Sequence, residues 1–227
     1  NKHILQRDKC NRCGACIKAC SQSSFYKQSG TLVLPTQVID IYSLFETIRP
    51  NLELLKEVGG ITFSGGEPLL QSEALAVLAK KCKDSGFHTA IETSGIIPIQ
   101  NIKNVYQHID TWLIGMRLIT GSEPTVSDYL ERKTRETLAV LTQNPEKEII
   151  IRIPVIPGYT TTQQYLNSTQ KILQDYQIKK IEFLHHNPES SHYYKAMDLQ
   201  SKIEYNPTEA HKEFKYVSDF ILHSITY

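Results

Sequence analysis

GGITFSGGEPLLQSEALAVLAKKCKDSGFHTAIETSG, residues 59–95, holds the fold in miniature. GGITF (59–63) reads as a short apolar strand that runs into the polar turn SGGEP. QSEALAVLAKKCKDSG (71–86) reads as a helix closed by Gly86, a C-cap signal. FHTAIETSG (87–95) is a second strand that ends in another polar turn. Strand, helix and strand make the unit from which parallel sheets are assembled.

The same alternation continues on both sides. VIDIYSLFETIRPNLELLKEV (38–58) carries apolar residues at helical spacing. Downstream come a short helix over 99–108, a strand in DTWLIGMRL (110–118) and an amphipathic helix over 125–143. KEIIIRIPVIPG (147–158) is a strong buried strand, followed by a helix over 162–176 and a strand in KKIEFLHH (179–186). Residues 206–225 form a last helix with Pro207 in its first turn. Five strands separated by helices predict an α/β fold with a parallel sheet. The polar turns TFSGGEP, IETSG, MRLITGS, PVIPG and LHHN all follow strands. In such folds the C-terminal strand ends build the site.

Composition narrows the class. The 227 residues suffice for one large domain and a small module, with a boundary near residue 37. Residues 1–37 read as a cluster-binding segment and linker, and 38–227 as the α/β domain. A formal net charge of +1 gives no reason to expect nucleic acid or an anionic membrane as partner. No apolar run approaches the length of a membrane span, and no signal-peptide pattern is visible. A cytoplasmic protein is the expectation.

Four of the five cysteines crowd into CNRCGACIKAC: Cys10, Cys13, Cys16 and Cys20, spaced C-x2-C-x2-C-x3-C. This is the bacterial ferredoxin run without its usual following proline, and it predicts a four-iron four-sulfur cluster. Zinc is the competing metal, although zinc sites usually set two C-x2-C units farther apart. Cys20 either completes one cluster with its three neighbours or serves a second cluster whose motif is not in the sequence. Cys82 stands alone near a helix end and reads as a structural thiol.

In ITFSGGEPLLQ (61–71), Gly65 and Gly66 allow a ligand to approach the backbone closely. Glu67 offers a carboxylate to an ammonium group, and Pro68 suits the first turn of a helix. A glycine pair alone is more often a plain turn. Arg152, in the middle of an apolar strand, is costly to bury without a carboxylate partner.

CNRCGACIKAC, GGITFSGGEPLLQ, IETSG, IIIRIPVIPG and KKIEFLHHN…YYKAM, in that order over about residues 8 to 225, resemble the radical S-adenosylmethionine enzymes that activate glycyl radical enzymes. The resemblance implies a partial (β/α)6 barrel with a small ferredoxin-like insert. The first of its six strands is missing from the pattern above. That strand leads, in the family, into the C-x3-C-x2-C motif of the catalytic cluster, which is absent here and is expected before Asn1. On this resemblance Cys10–Cys20 hold an auxiliary cluster. It also implies an S-adenosylmethionine site made of Gly65, Gly66, Glu67, Pro68, Glu92, Thr93, Ser94, Arg117, Arg152 and Asn187. No catalytic residue is assigned.

Three departures from the family stand out. Where it often has Asp-x-Lys, this sequence has Gly115-Met116-Arg117. Where it has a histidine after the last strand, this chain has Asn187, preceded by His185 and His186. Its HxxxGxxK segment reads NPESSHYYK. The implied activity is reductive cleavage of S-adenosylmethionine to a 5′-deoxyadenosyl radical. That radical would abstract hydrogen from a glycine of a partner glycyl radical enzyme, with a flavodoxin or ferredoxin-type protein as reductant. A radical enzyme acting on a small molecule and a non-catalytic electron-transfer or scaffold protein are the alternatives.

Overall fold

The computed structural model describes residues 38–118, 124–185 and 206–225, together with Lys9, Asn187, Tyr194 and Gln200. Cys10, Cys13, Cys16, Cys20, His186 and most of the NPESSHYYK segment lie outside the described residues. Helix α1 (Ile41–Leu55) starts where Asp40 accepts a hydrogen bond from the Ser43 N–H at 2.9 Å. Strand β1 (Gly60–Phe63) leads through a 3-10 turn (Pro68–Gln71) into α2 (Ser72–Asp84). Then follow β2 (His88–Thr93), α3 (Ile99–Val105), β3 (Thr111–Gly115) and α4 (Pro124–Leu141). The chain continues through β4 (Glu148–Val155), α5 (Gln163–Asp175), β5 (Lys180–His185) and α6 (Pro207–Ile225).

The expected alternation is present, with shorter elements. The predicted strand over 110–118 pairs regularly only to Gly115, with one more bond from the Met116 N–H to the Arg152 carbonyl at 2.9 Å. The helix expected over 38–58 stops at Leu55, because the N–H groups of Val58 and Gly59 fold back onto the Leu55 carbonyl. Gly86 takes a φ of +81°, as its C-cap reading requires.

The five strands form one parallel sheet in the order β1-β2-β3-β4-β5. Sequential order with right-handed crossovers places the connecting helices on one face. Burial follows from that. Thr89, Ile91 and Thr93 on β2, Trp112 and Ile114 on β3, and Ile151, Ile153 and Val155 on β4 are buried. The intervening positions turn to the other face. Register sets Gly115 beside Arg152 and Arg152 beside Glu182, with Glu92 beside Leu113 one row below. This second face carries Glu92, Arg152 and Glu182. The first strand of the expected six-stranded array is not among the described residues.

One polar tie holds the lower end of the sheet. The Asp110 carboxylate accepts hydrogen bonds from the Lys83 ammonium, the Thr89 N–H at 3.0 Å and the Thr89 hydroxyl at 2.9 Å. It thereby joins α2, β2 and the start of β3. Burial opposes its charge, yet the Lys83 and Thr89 hydrogen bonds hold its pKa below the ordinary carboxylate value. The unfolded chain binds that proton more readily, so this stabilisation is present above about pH 4 and is lost as pH falls through the folded pKa. Asp110→Asn is expected to cost about 1–3 kcal/mol at pH 7. Urea unfolding at pH 7 and pH 3 should show the variant and the unaltered protein converging at the lower pH.

Candidate functional site

At the C-terminal ends of the strands, eight of the residues singled out above line one cavity: Gly65, Gly66, Glu67, Glu92, Thr93, Ser94, Arg117 and Arg152. Ser64, Gly115, Pro154 and Leu184 complete the lining, and the enclosed volume is about 140 Å³. That is small against the several hundred Å³ of a whole-ligand pocket, so it suits one polar end of a larger molecule. Pro68 stands behind it as the first residue of the 3-10 turn. Asn187 does not line the cavity.

The first wall is the glycine turn after β1. Gly65 has a φ of +127°, which side chains other than hydrogen rarely tolerate. A Cβ added at Gly65 or Gly66 would meet nothing within 4 Å, so this backbone faces open space and can be approached closely. Glu67 does not offer its carboxylate to the cavity in the way its sequence position suggests. One oxygen accepts from the Thr93 hydroxyl at 2.7 Å and the Leu69 N–H at 3.3 Å. The other accepts from the Ser94 N–H and the Ser94 hydroxyl, both at 2.9 Å. A carboxylate has about four acceptor positions, and all are used. Glu67 is therefore a latch between the turn after β1 and the turn after β2.

The floor is a charged row across the sheet. Arg152 on β4 pairs with Glu92 on β2 at 2.6 Å and with Glu182 on β5 at 2.7 Å. A second, longer contact from Arg152 to Glu182 measures 3.4 Å. The Ser64 hydroxyl donates to the free side of Glu92 at 3.1 Å. Burial opposes the Arg152 charge, but the Glu182 hydrogen bond and the Glu92 charge outweigh it and hold the pKa above its usual value. The carboxylate that a mid-strand arginine demands is thus supplied twice. Glu182 and Ser64 are the residues that sequence reading missed. The signal for Glu182 was there: an acid inside an apolar strand of KKIEFLHH.

Arg117 lies above this row. Its side chain is exposed, and among the described residues no carboxylate is within ion-pair distance of it. Glu67, Glu92 and Glu182 against Arg117 and Arg152 leave one negative charge in excess. A small ligand with an ammonium, a carboxylate and one further positive charge would match that balance. His185 is occupied elsewhere: its ring stacks on Phe214 of α6 with centroids 3.8 Å apart. Cys82 is fully buried, and burial pushes its thiol up to about 11, which suits an inert core residue. Among the described residues no group of His, Cys, Asp and Glu is arranged to hold a metal ion. No described helix is long and apolar enough to cross a membrane.

If Glu67 is a latch, Glu67→Ala leaves the Thr93 and Ser94 donors without partners. It is expected to lower stability by about 1–3 kcal/mol. Hydrogen exchange should accelerate at the Ser94 N–H and remain unchanged at the distant Thr89 N–H.

Comparison with known proteins bears on this site. A family model described as a 4Fe-4S single cluster domain matches residues 8–125, just over half of the chain. The choline trimethylamine-lyase activating enzyme of Oleidesulfovibrio alaskensis is 25% identical, over 90% of this chain and 76% of that protein. The indoleacetate decarboxylase activating enzyme of Tractidigestivibacter scatoligenes is 23% identical, over 71% of this chain and 50% of that one. The pyruvate formate-lyase-activating enzyme of Clostridium pasteurianum is 30% identical, over 64% and 61% respectively. The chain therefore spans between half and three quarters of the length of these relatives. A crystal structure of a domain of pyruvate-formate lyase-activating enzyme from Bacteroides vulgatus shares the fold, with a TM-score of 0.50 and 22% identity over 71% of this chain and 94% of that one. The chain belongs to the 4Fe-4S single cluster domain family, and its relatives above are named as activating enzymes.

Proposed function

We propose that the cavity at the strand ends receives the amino-acid end of S-adenosylmethionine, and that the whole protein activates a glycyl radical enzyme. The observation that carries the reading is the presence, in one small cavity, of an exposed guanidinium on Arg117 and the carboxylate of Glu92, whose partner Arg152 is shared with Glu182. The open backbone of Gly65 and Gly66 supplies a cradle beside it. S-adenosylmethionine carries an ammonium, a carboxylate and a sulfonium, and so a net positive charge opposite to that of the site.

The chain's own residues would act by holding and orienting. Glu92 and the backbone of the glycine turn face the ammonium, and Arg117 grips the carboxylate through two N–H groups. Arg152 fixes Glu92 so that the acid does not swing into solvent. When bound beside a reduced four-iron four-sulfur cluster, S-adenosylmethionine would take up one electron, lose methionine through cleavage of its C5′–S bond and so supply radical hydrogen abstraction at a glycine of the partner enzyme. Cys10, Cys13, Cys16 and Cys20 would hold an auxiliary cluster that relays electrons or shapes the partner surface. A flavodoxin or ferredoxin-type protein of a reducing cytoplasm would be the electron donor.

A second reading has one feature in its favour. Gly115-x-Arg117 and Asn187 replace residues common in the family, which fits a radical enzyme acting on a small molecule. The readings separate in one experiment on anaerobically prepared full-length protein with S-adenosylmethionine and reductant. Activation predicts an electron paramagnetic resonance doublet on an added glycyl radical enzyme. 5′-Deoxyadenosine formed only with a small substrate, and no doublet, supports the second reading. Iron equivalent to a single cluster, with no 5′-deoxyadenosine, would contradict both and favour a non-catalytic electron-transfer or scaffold protein.

A further inference from the structure

Gly115 lines the cavity and has no part assigned so far. It occupies the inner face of β3 directly beside Arg152. Arg117, two residues on, projects from the same face and folds back over it. A Cβ built at Gly115 would stand 3.0 Å from Arg117 Nε, 3.4 Å from Nη2 and 3.5 Å from Cζ. The guanidinium therefore lies directly over the space that a side chain at 115 would fill. It shares the cavity with a second guanidinium, that of Arg152, which is paired with Glu92 and Glu182. Among the described residues neither carboxylate is within ion-pair distance of Arg117.

We infer that Gly115 is a positioning residue: by leaving the inner face of β3 bare, it seats the Arg117 guanidinium in the cavity, where no carboxylate among the described residues pairs with it, so that it selects a ligand carrying a carboxylate. The inference rests on the S-adenosylmethionine reading and deepens it. Two physical consequences follow. Alanine at 115 makes a contact tighter than most side chains accept, which the flexible arginine head relieves by shifting a few tenths of an ångström. Aspartate does more, because it places a carboxylate against the guanidinium and competes with the ligand. An Asp-x-Lys pair escapes this conflict, since a lysine head is a flexible point charge that need not lie flat over residue 115. Gly-x-Arg and Asp-x-Lys are then two self-consistent solutions, and mixtures of them are not.

The test is calorimetric titration of the full chain with S-adenosylmethionine and with its decarboxylated analogue, which lacks only the carboxylate. The unaltered protein should prefer S-adenosylmethionine by at least about tenfold. Arg117→Ala, at an exposed position, should abolish the preference without loss of fold. Gly115→Ala should reduce it a few-fold, and Gly115→Asp should remove most of it. The double variant Gly115→Asp/Arg117→Lys should recover more preference than Gly115→Asp alone, a non-additivity expected only of coupled residues. Full preference retained in Gly115→Asp, or no recovery in the double variant, overturns the inference while leaving the cofactor reading intact. Should Gly115→Asp fail to fold, a full preference in Arg117→Ala would overturn it equally. Failure of the unaltered protein to bind either ligand overturns both.

Discussion

Arg152 is the constraint around which this site is arranged. An arginine in the middle of a nearly all-apolar strand, with only 19% of its side chain exposed, cannot be left without a counter-charge. The sheet answers with an acid from each side, Glu92 two strands away and Glu182 on the neighbouring strand. Glu92 in turn takes a hydrogen bond from Ser64 in the turn after β1. The Glu67 latch ties the same turn to Thr93 and Ser94, the residues immediately after Glu92. Four of the five strands are thus connected through one charged row and one latch. The cavity is the space those connections leave above the sheet.

Much of this was legible in the sequence, for identifiable reasons. Buried parallel strands announce themselves as apolar runs, and EIIIRIPV is such a run with one conspicuous charge in it. Helices over α2 and α5 were marked by their spacing, and the end of α2 by Gly86. The cavity's outline followed from the rule that strand ends build sites, together with a motif resemblance. Partners were harder to foresee. Glu67 looks like a ligand because its sequence context is open, but only the approach of β2 reveals that Thr93 and Ser94 consume it. Glu182 belongs to a strand whose register against Arg152 is not written in either segment. Gly115 looked like a lost acid, whereas the structure shows it as room for Arg117.

The family match spans the cysteine motif, whose residues lie outside those described, and the first three strands of the sheet. The cavity lies where parallel α/β folds place their sites, and its charges suit a zwitterionic ligand with an additional positive group. The apolar side of the sheet, with Trp112 and Ile151 fully buried, holds the strand ends that line the cavity.

The most direct test of this account is a crystal structure of the anaerobic full-length protein with S-adenosylmethionine. The account predicts the ligand's amino-acid end in the cavity above Arg152, its ammonium facing Glu92 and the glycine turn, and its carboxylate on Arg117. An amino-acid end bound elsewhere, with the row of Glu92, Arg152 and Glu182 making no approach to it, would contradict the account.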